Sequence, residues 1–332
     1  MPPSEWNVLD FEKPIMELDA QIAEIRRLTI ERGEDRSADI EVLERDRDRL
    51  LGEIFTNLTT WDRVLLARHP KRPYTLDYMR VMFDDFVELH GDRVFADDNA
   101  MIGGIGTLDG RQVMWVGQQK GRDLKDRQYR NFGSAKPEGY RKAMRLMHLA
   151  EKFHRPVVCL IDTPAADCSV GAEERGISEA IARNLMEMST LKTPIVAAVL
   201  GEGGSGGALG IAVADRVLML EHAIYSVIPP ESCAAILWRD PSKHKEMAEA
   251  LKIGSNDALR LGVVDEVIPE PPGGAHRNVD LAARSVKAAL IRHIDQLSKL
   301  SMHKLIEQRY RKFRNMGVYE ESAVVQSEPG EQ

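Results

Sequence analysis

Cysteine is scarce in this 332-residue chain: Cys159, Cys168 and Cys233 stand apart with no C-x-x-C pair. Neither a disulfide framework nor a zinc site built from this chain alone is therefore indicated. Long apolar runs are also missing; none approaches the roughly 18 residues that span a bilayer. The start, Met1-Pro-Pro-Ser-Glu-Trp6, lacks the basic and apolar regions of a signal peptide. A cytoplasmic protein with no membrane role is expected. There is no excess of basic charge either, and a net charge of −7 argues against general nucleic-acid binding. What remains, 43% hydrophobic and 29% charged residues, is the composition of a globular chain with one large domain or two modest ones.

The most informative stretch is Pro194-Ile-Val-Ala-Ala-Val-Leu-Gly-Glu-Gly-Gly-Ser-Gly-Gly-Ala-Leu209, which reads as a buried strand, a glycine turn and a helix start. Gly201, Gly203, Gly204, Gly206 and Gly207 fall within seven residues. Glycine lets a backbone approach a ligand closely, and the first N–H groups of a following helix point outward with partial positive charge. Such a turn suits an anion, either a phosphate or a developing oxyanion. Three readings compete. Gly201-x-Gly203-x-x-Gly206 fits a dinucleotide fingerprint, with Glu221 where a ribose-binding acid belongs; against it, Ala208–Ala214 is short and apolar all round. Gly203-Gly-Ser205-Gly-Gly207 fits a nucleophile elbow, with Asp240 or Asp265 and then His276 in suitable order for a serine hydrolase. In the third reading no side chain acts, and the backbone amides form an oxyanion hole. A bare structural turn explains one or two glycines but not five.

Along the chain, residues 12–60 read as a helical hairpin broken at Arg32–Ser37, with Ile15, Leu18, Ile22 and Ile25 facing Leu43, Leu50, Ile54 and Leu58. These narrow apolar stripes need a partner surface, either the body of the chain or another subunit. Thr75 is a plausible N-cap for a helix running through Phe86 and Leu89. Asp109-Gly110 marks a β-hairpin between Met101–Thr107 and Arg111–Gly117. That second strand ends in Gln118-Gln-Lys-Gly-Arg122, two cations on a loop. A helix about Gly139–Phe153, a strand Val157–Ile161, the loop Asp162–Gly171 and a further helix repeat the plan seen at Gly201. Short strands follow at 216–220, 224–228 and 263–268. Glu231 sits in the first turn of a helix, where an acid suits the dipole. The last helix, to about Met316, carries Lys304, Arg309, Arg311, Lys312 and Arg314, most simply a solvated face. Residues after Tyr319 have the composition of a disordered tail. This order suggests stacked ββα turns rather than a doubly wound sheet.

Asp10-Phe-Glu, Arg68-His-Pro-x-Arg-Pro-Tyr-Thr-Leu-Asp-Tyr78, Gly91-Asp-Arg, Gln119-Lys-Gly-Arg122, Pro137-Glu-Gly-Tyr-Arg-Lys142, Gly171-Ala-Glu-Glu-Arg-Gly176, Gly201–Ala208 and Gly273-Gly-Ala-His-Arg-Asn278 occur in this order. Together they make the chain similar to the α subunits of bacterial acetyl-CoA carboxylase carboxyltransferase, over about residues 8–315. The resemblance implies an α/β, crotonase-like ββα superhelix (66–300) with an N-terminal helical hairpin arm (1–65) and a C-terminal helix and tail (301–332). It implies transfer of the carboxyl group of carboxybiotin, carried on the biotin carboxyl carrier protein and charged by biotin carboxylase, onto acetyl-CoA. The product is malonyl-CoA, and the chain would be active only in an α2β2 assembly with a zinc-bearing β subunit, itself holding no metal. Backbone at Gly203, Gly204, Gly206 and Gly207 would form the α-side oxyanion hole. Lys120 and Arg122 would hold the transferring carboxylate, and the loop from Asp162 to Gly171 would line the biotin side. A non-catalytic scaffold subunit is the remaining alternative. The chain departs from the family's usual pattern at Ala165 and Asp167-Cys-Ser169, where glycine and proline are common, and at Gln118, where histidine is common.

Overall fold

The computed structural model describes residues 8–33 and 35–317. Helices α1 (Lys13–Arg32) and α2 (Ser37–Thr56) fold back on each other after Gly33, whose φ of 68° closes α1 in the left-handed region that glycine tolerates. The hairpin meets the body at its open end. There Glu12 bonds His276 at 2.8 Å, Asp19 pairs with Arg277, and the Phe55 ring lies 5.6 Å from His222. Part of its apolar stripe is thus covered by this chain's own body.

Helices α3 (Thr60–Ala67) and α4 (Thr75–Met82) lead into the sheet. Strand β1 (Asp85–Glu88) pairs antiparallel with β2 (Met101–Leu108), and β2 with β3 (Arg111–Gln118). Asp109 and Gly110 turn that hairpin with φ of 52° and 73°, the two left-handed residues a tight hairpin requires. After α5 (Leu124–Tyr129) and α6 (Pro137–Lys152), strand β4 (Val157–Thr163) joins β3 in parallel. Then come α7 (Val170–Glu174), α8 (Ile177–Thr190), β5 (Ile195–Gly204), α9 (Ser205–Leu209), β6 (Arg216–Leu220) and β7 (Ile224–Ser226). The chain continues through α10 (Pro230–Trp238), α11 (His244–Leu251), α12 (Ser255–Arg260), β8 (Glu266–Ile268), α13 (Val279–Leu297) and α14 (Met302–Arg314). The sheet order is β1-β2-β3-β4-β5-β6-β8, with β7 paired to the far half of β5. Every residue of β4 and all of β5 but Gly204 are buried, as the continuous apolar runs of parallel interior strands require. The core lies between this sheet and α6, α8 and α13, with Leu146, Met147, Met188 and Leu290 fully covered.

Four expectations need correction. The helix at Thr75 stops at Met82, its N-cap being Tyr74: Phe83 leaves with φ −96° and ψ 141°, and Phe86 sits on a strand with its ring edge-on to Trp115 at 5.7 Å. The single helix expected after Gly171 is two, broken at Gly176 with φ 77°. Residues 201–204 are not a turn but the end of β5. The C-terminal basic stripe is not simply solvated, since Arg309 is 1% exposed. Its guanidinium bonds Asp215 at 2.9 and 2.7 Å and the carbonyls of Met188, Leu191 and Thr193, while Lys312 pairs with Asp265. The tail expected to be disordered lies outside the described residues.

Candidate active site

The site is built on an irregularity between β4 and β5. Ile161 pairs with Val199 but Thr163 pairs with Gly203, so Asp162 alone faces the three residues Leu200, Gly201 and Glu202. Backbone groups displaced in this way need other partners, and two buried side chains supply them. Asp162 Oδ1 accepts the Glu202 N–H at 2.9 Å, and Arg72 Nε donates to the Leu200 carbonyl at 2.8 Å. Gly201 is required there, because a Cβ would stand 2.6 Å from Asp162 Oδ1. Beyond the bulge, Gly203 and Gly204 pair with Tyr225 and Ser226 of β7. Ser205 then enters α9 at φ 47°. Because β5 runs straight into α9, the N–H groups of Ser205, Gly206 and Gly207 have no acceptor within that helix.

The glycines differ in what they make room for. A Cβ on Gly204 would lie 2.0 Å from the Pro164 carbonyl oxygen, and one on Gly207 2.6 Å from the backbone of Ala165. One on Gly206 would meet nothing closer than the Ile181 side chain at 3.6 Å. The close approach of β5–α9 to the loop after β4 is thus specified at Gly204 and Gly207. Gln118 bridges the same two segments: its amide oxygen accepts the Asp162 N–H at 3.1 Å and its amide nitrogen donates to the Gly207 carbonyl at 2.9 Å. The departures in the loop make local structure of their own. Asp167 accepts the Ser169 N–H at 3.0 Å, and Ser169 caps α7 by accepting from Ala172. Gly171 sits inside α7, against the Arg175 side chain.

A chain of alternating charges runs through the site. Lys120 Nζ lies 2.7 Å from Asp162 and 2.9 Å from Glu202; Glu202 also binds Arg68 Nε at 2.8 Å, and Arg68 reaches Glu231 at 2.6 Å. Burial opposes the charge on Lys120, but the two carboxylates outweigh it and hold the ammonium above its ordinary range. Burial is likewise outweighed at Glu202, whose carboxyl Lys120 and Arg68 keep below the usual range. Asp162 Oδ2 and Glu231 Oε2 are buried without a partner among the described residues. Arg122 is spoken for: it stacks on Tyr74 at 4.1 Å, donates to the carbonyls of Pro70 and Arg72 at 2.9 and 3.0 Å, and pairs with Asp77. A cleft of about 150 Å³ opens beside Lys120, lined also by Arg68, Arg127, Phe132, Pro164 and Glu202. Arg68, Pro164 and Glu202 wall a second recess whose floor is Gly203 and Gly204.

The residues that sequence reasoning passed over are those that brace from a distance. Arg72 and Glu270, 198 positions apart and both fully buried, pair at 2.5 Å. Burial alone would raise the Glu270 carboxyl, but Arg72 outweighs it and holds it down to about 2, against an ordinary 4.5. A depressed folded pKa gives stability that is complete above the unfolded value and lost as pH falls through the folded one. The urea midpoint of the wild type is therefore expected to drop between pH 4.5 and 2, and Glu270→Gln, less stable at pH 7, should show a flatter profile there.

The hydrolase reading does not assemble. His276 is bonded to Glu12, Asp265 is paired with Lys312, and Asp240 accepts the Ser242 N–H at 3.0 Å. The dinucleotide reading fails too, because α9 has five residues and the Glu221 carboxylate accepts the Glu270 N–H at 3.1 Å. Glu12, His69 and His276 bring potential metal-ligand atoms within 4.8 Å of one another. His69 Nδ1, however, accepts the Lys71 N–H at 3.1 Å, which leaves the proton of the neutral ring on Nε2. Glu12 and His276 form a hydrogen-bonded clasp between the hairpin and the body, with the His69 ring 4.2 Å from that of His276.

Residues 8–317 match the family model described as acetyl co-enzyme A carboxylase carboxyltransferase-like. The chain belongs to that family. It is 54% identical over 315 residues to an acetyl-coenzyme A carboxylase carboxyl transferase subunit alpha of Stenotrophomonas maltophilia, covering 95% of this chain and 98% of that one. A protein of the same description from Thermus thermophilus is 54% identical over 313 residues, 94% of this chain and 99% of the other. Among solved structures, a Pseudomonas malonate decarboxylase hetero-tetramer in complex with coenzyme A aligns with TM-score 0.55 at 16% identity, over 70% of this chain and 91% of that one. The transcarboxylase 12S core aligns with TM-score 0.52 at 22% identity, over 65% and 41%. The fold is the crotonase-like α/β fold of these carboxyltransferase neighbours, and the chain is a carboxyltransferase subunit. No described helix is long and apolar enough to cross a membrane.

Proposed function

We propose that this carboxyltransferase α chain moves the carboxyl group of carboxybiotin onto acetyl-CoA, giving malonyl-CoA. It does so in the cytoplasm, in an α2β2 assembly whose β subunit holds the zinc, and with biotin arriving on its carrier protein after biotin carboxylase has acted. Residues 1–65 would serve as an arm, 66–300 as the catalytic body and 301–332 as a closing helix and tail. The observation that carries the reading is the glycine cradle, because a Cβ at Gly204 or Gly207 would fill the space between β5–α9 and the loop after β4. When bound, biotin supplies the carboxyl group and a ring nitrogen able to take the methyl proton. This chain has to steady negative oxygen, which fixed N–H donors do at no reorganisation cost; each such donor is worth about 3 kcal/mol of barrier. The first-turn amides at Gly206 and Gly207, which have no acceptor within α9, would take that task. Gly203 and Gly204 let the Tyr225 ring and the Pro164 carbonyl close against the strand, which sets the shape of the cradle. Asp162 and Lys120 hold the bulge that aims the cradle, and the loop to Gly171 lines the biotin side. Arg122 braces the start of α4 and would have to release Asp77 before it could hold a carboxylate.

Among the described residues no hydrogen bond joins the Ser205 hydroxyl to a base, so Ser205→Ala, reconstituted with a cognate β subunit, should retain carboxyl transfer to within about threefold. Malonyl-CoA formation from carboxybiotin is the measurement. Loss of turnover on removing that hydroxyl, in a properly assembled complex, would restore the nucleophile reading.

A further inference from the structure

The two cations first expected to meet the migrating carboxylate are neutralised within the protein: Lys120 lies between Asp162 and Glu202, and Arg122 against Asp77. Arg68, beside them, lies between Glu202 and Glu231. Arg127, on the second turn of α5, is different. It lines the same cleft, and among the described residues its side chain makes a single, long hydrogen bond, 3.4 Å from Nε to the Gly121 carbonyl, and pairs with no carboxylate. Its backbone is fixed nevertheless. Gly121 passes so close beneath α5 that a Cβ there would stand 2.1 Å from the Arg127 nitrogen. Asp123 caps the same helix by accepting the Asp126 N–H at 2.9 Å. A planar guanidinium whose donors are uncommitted, on an anchored helix, suits a carboxylate.

The cleft limits the ligand. At about 150 Å³ it falls below the ~300 Å³ at which pockets begin to enclose drug-sized molecules, which is room for a small acyl head. It shares Arg68, Pro164 and Glu202 with the recess floored by Gly203 and Gly204, which places an anion held here next to the cradle. Building on the carboxyl-transfer reading, we propose that Arg127 binds the free carboxylate of the carboxylated acyl-CoA. It thereby distinguishes that thioester from its uncarboxylated counterpart.

Equilibrium titration of the assembled α–β complex with malonyl-CoA and with acetyl-CoA tests this, using wild type, Arg127→Gln and Arg127→Lys with matched melting temperatures. Arg127→Gln is expected to weaken malonyl-CoA about tenfold to a hundredfold, as loss of a charge-assisted hydrogen bond does. Acetyl-CoA binding should stay within about twofold, and Arg127→Lys should recover part of the loss. Equal weakening of both ligands would assign Arg127 to the phosphates or the thioester and overturn the proposal; unchanged malonyl-CoA binding would do the same. Because the titration needs no turnover, a complex that binds as expected but transfers no carboxyl group would count against the proposed function alone.

Discussion

Gly204→Ala, in the complex with a β subunit, is expected to lose about a hundredfold in kcat, while Gly206→Ala loses less than about threefold. The two substitutions add the same methyl group two residues apart. At Gly204 it would meet the Pro164 carbonyl oxygen at 2.0 Å and its carbon at 2.4 Å, both backbone, so β5 and the loop after β4 must separate. At Gly206 it finds Ile181 at ordinary van der Waals distance, and alanine keeps the N–H. A displacement of about 1 Å at a catalytic constellation typically costs a hundredfold, and the cradle's amides are useful only where the oxygen will be. Steady-state malonyl-CoA formation, with assembly checked by sedimentation, separates the two. Equal and near-normal turnover in both variants would make the cradle a packing feature, and the chain a scaffold.

The second large effect is on stability. Arg309→Met should lower the melting temperature by about 10 °C, whereas Arg311→Met two residues on should change it little. Arg309 is buried with Asp215 and three carbonyls, and Asp215 also accepts the Ile195 N–H at 2.8 Å at the start of β5. Removing one partner of a buried pair leaves an uncompensated charge at a cost of about 3–5 kcal/mol, which in a chain of this size is several degrees for each kcal/mol or two. Arg311 is 71% exposed and, among the described residues, pairs only with Glu307 one turn away, a contact that solvent largely screens. Differential scanning calorimetry of the two variants decides it; similar melting temperatures would mean that α14 does not hold the sheet.

Features written in consecutive residues could be read without coordinates: the Asp109-Gly110 turn, the unbroken apolar runs of β4 and β5, and the α1–α2 hairpin with Gly33 at its bend. The misreadings share a cause. Phe86 and Leu89 continue a helical spacing from Thr75, yet Phe86 is claimed by Trp115 on a strand that no local pattern announces. Gly201–Gly204 looked like a turn because glycine usually weakens a strand, whereas here it lets a bulged strand continue beside the Pro164 carbonyl and the Tyr225 ring. Arg309 sits in a stripe of five cations, and what buries it is Asp215, 94 positions earlier, with the carbonyls of Met188, Leu191 and Thr193. Within the site, the glycines and Lys120 were visible as motifs. The pairing of Arg72 with Glu270, the two-ended bridge of Gln118 and the uncommitted guanidinium of Arg127 depend on which distant segments meet.

The clasp of Glu12 and His276, with Arg277 on Asp19, grips the first helix within its opening two turns. Thirteen further residues, from Asp19 to Arg32, then carry the bend some 20 Å onward at 1.5 Å per residue. Ile30, 84% exposed, rides close to that far end. A dye or surface tether attached there would sit at the end of a stiff handle, reporting on assembly or orienting the molecule on a support with the chemistry left undisturbed.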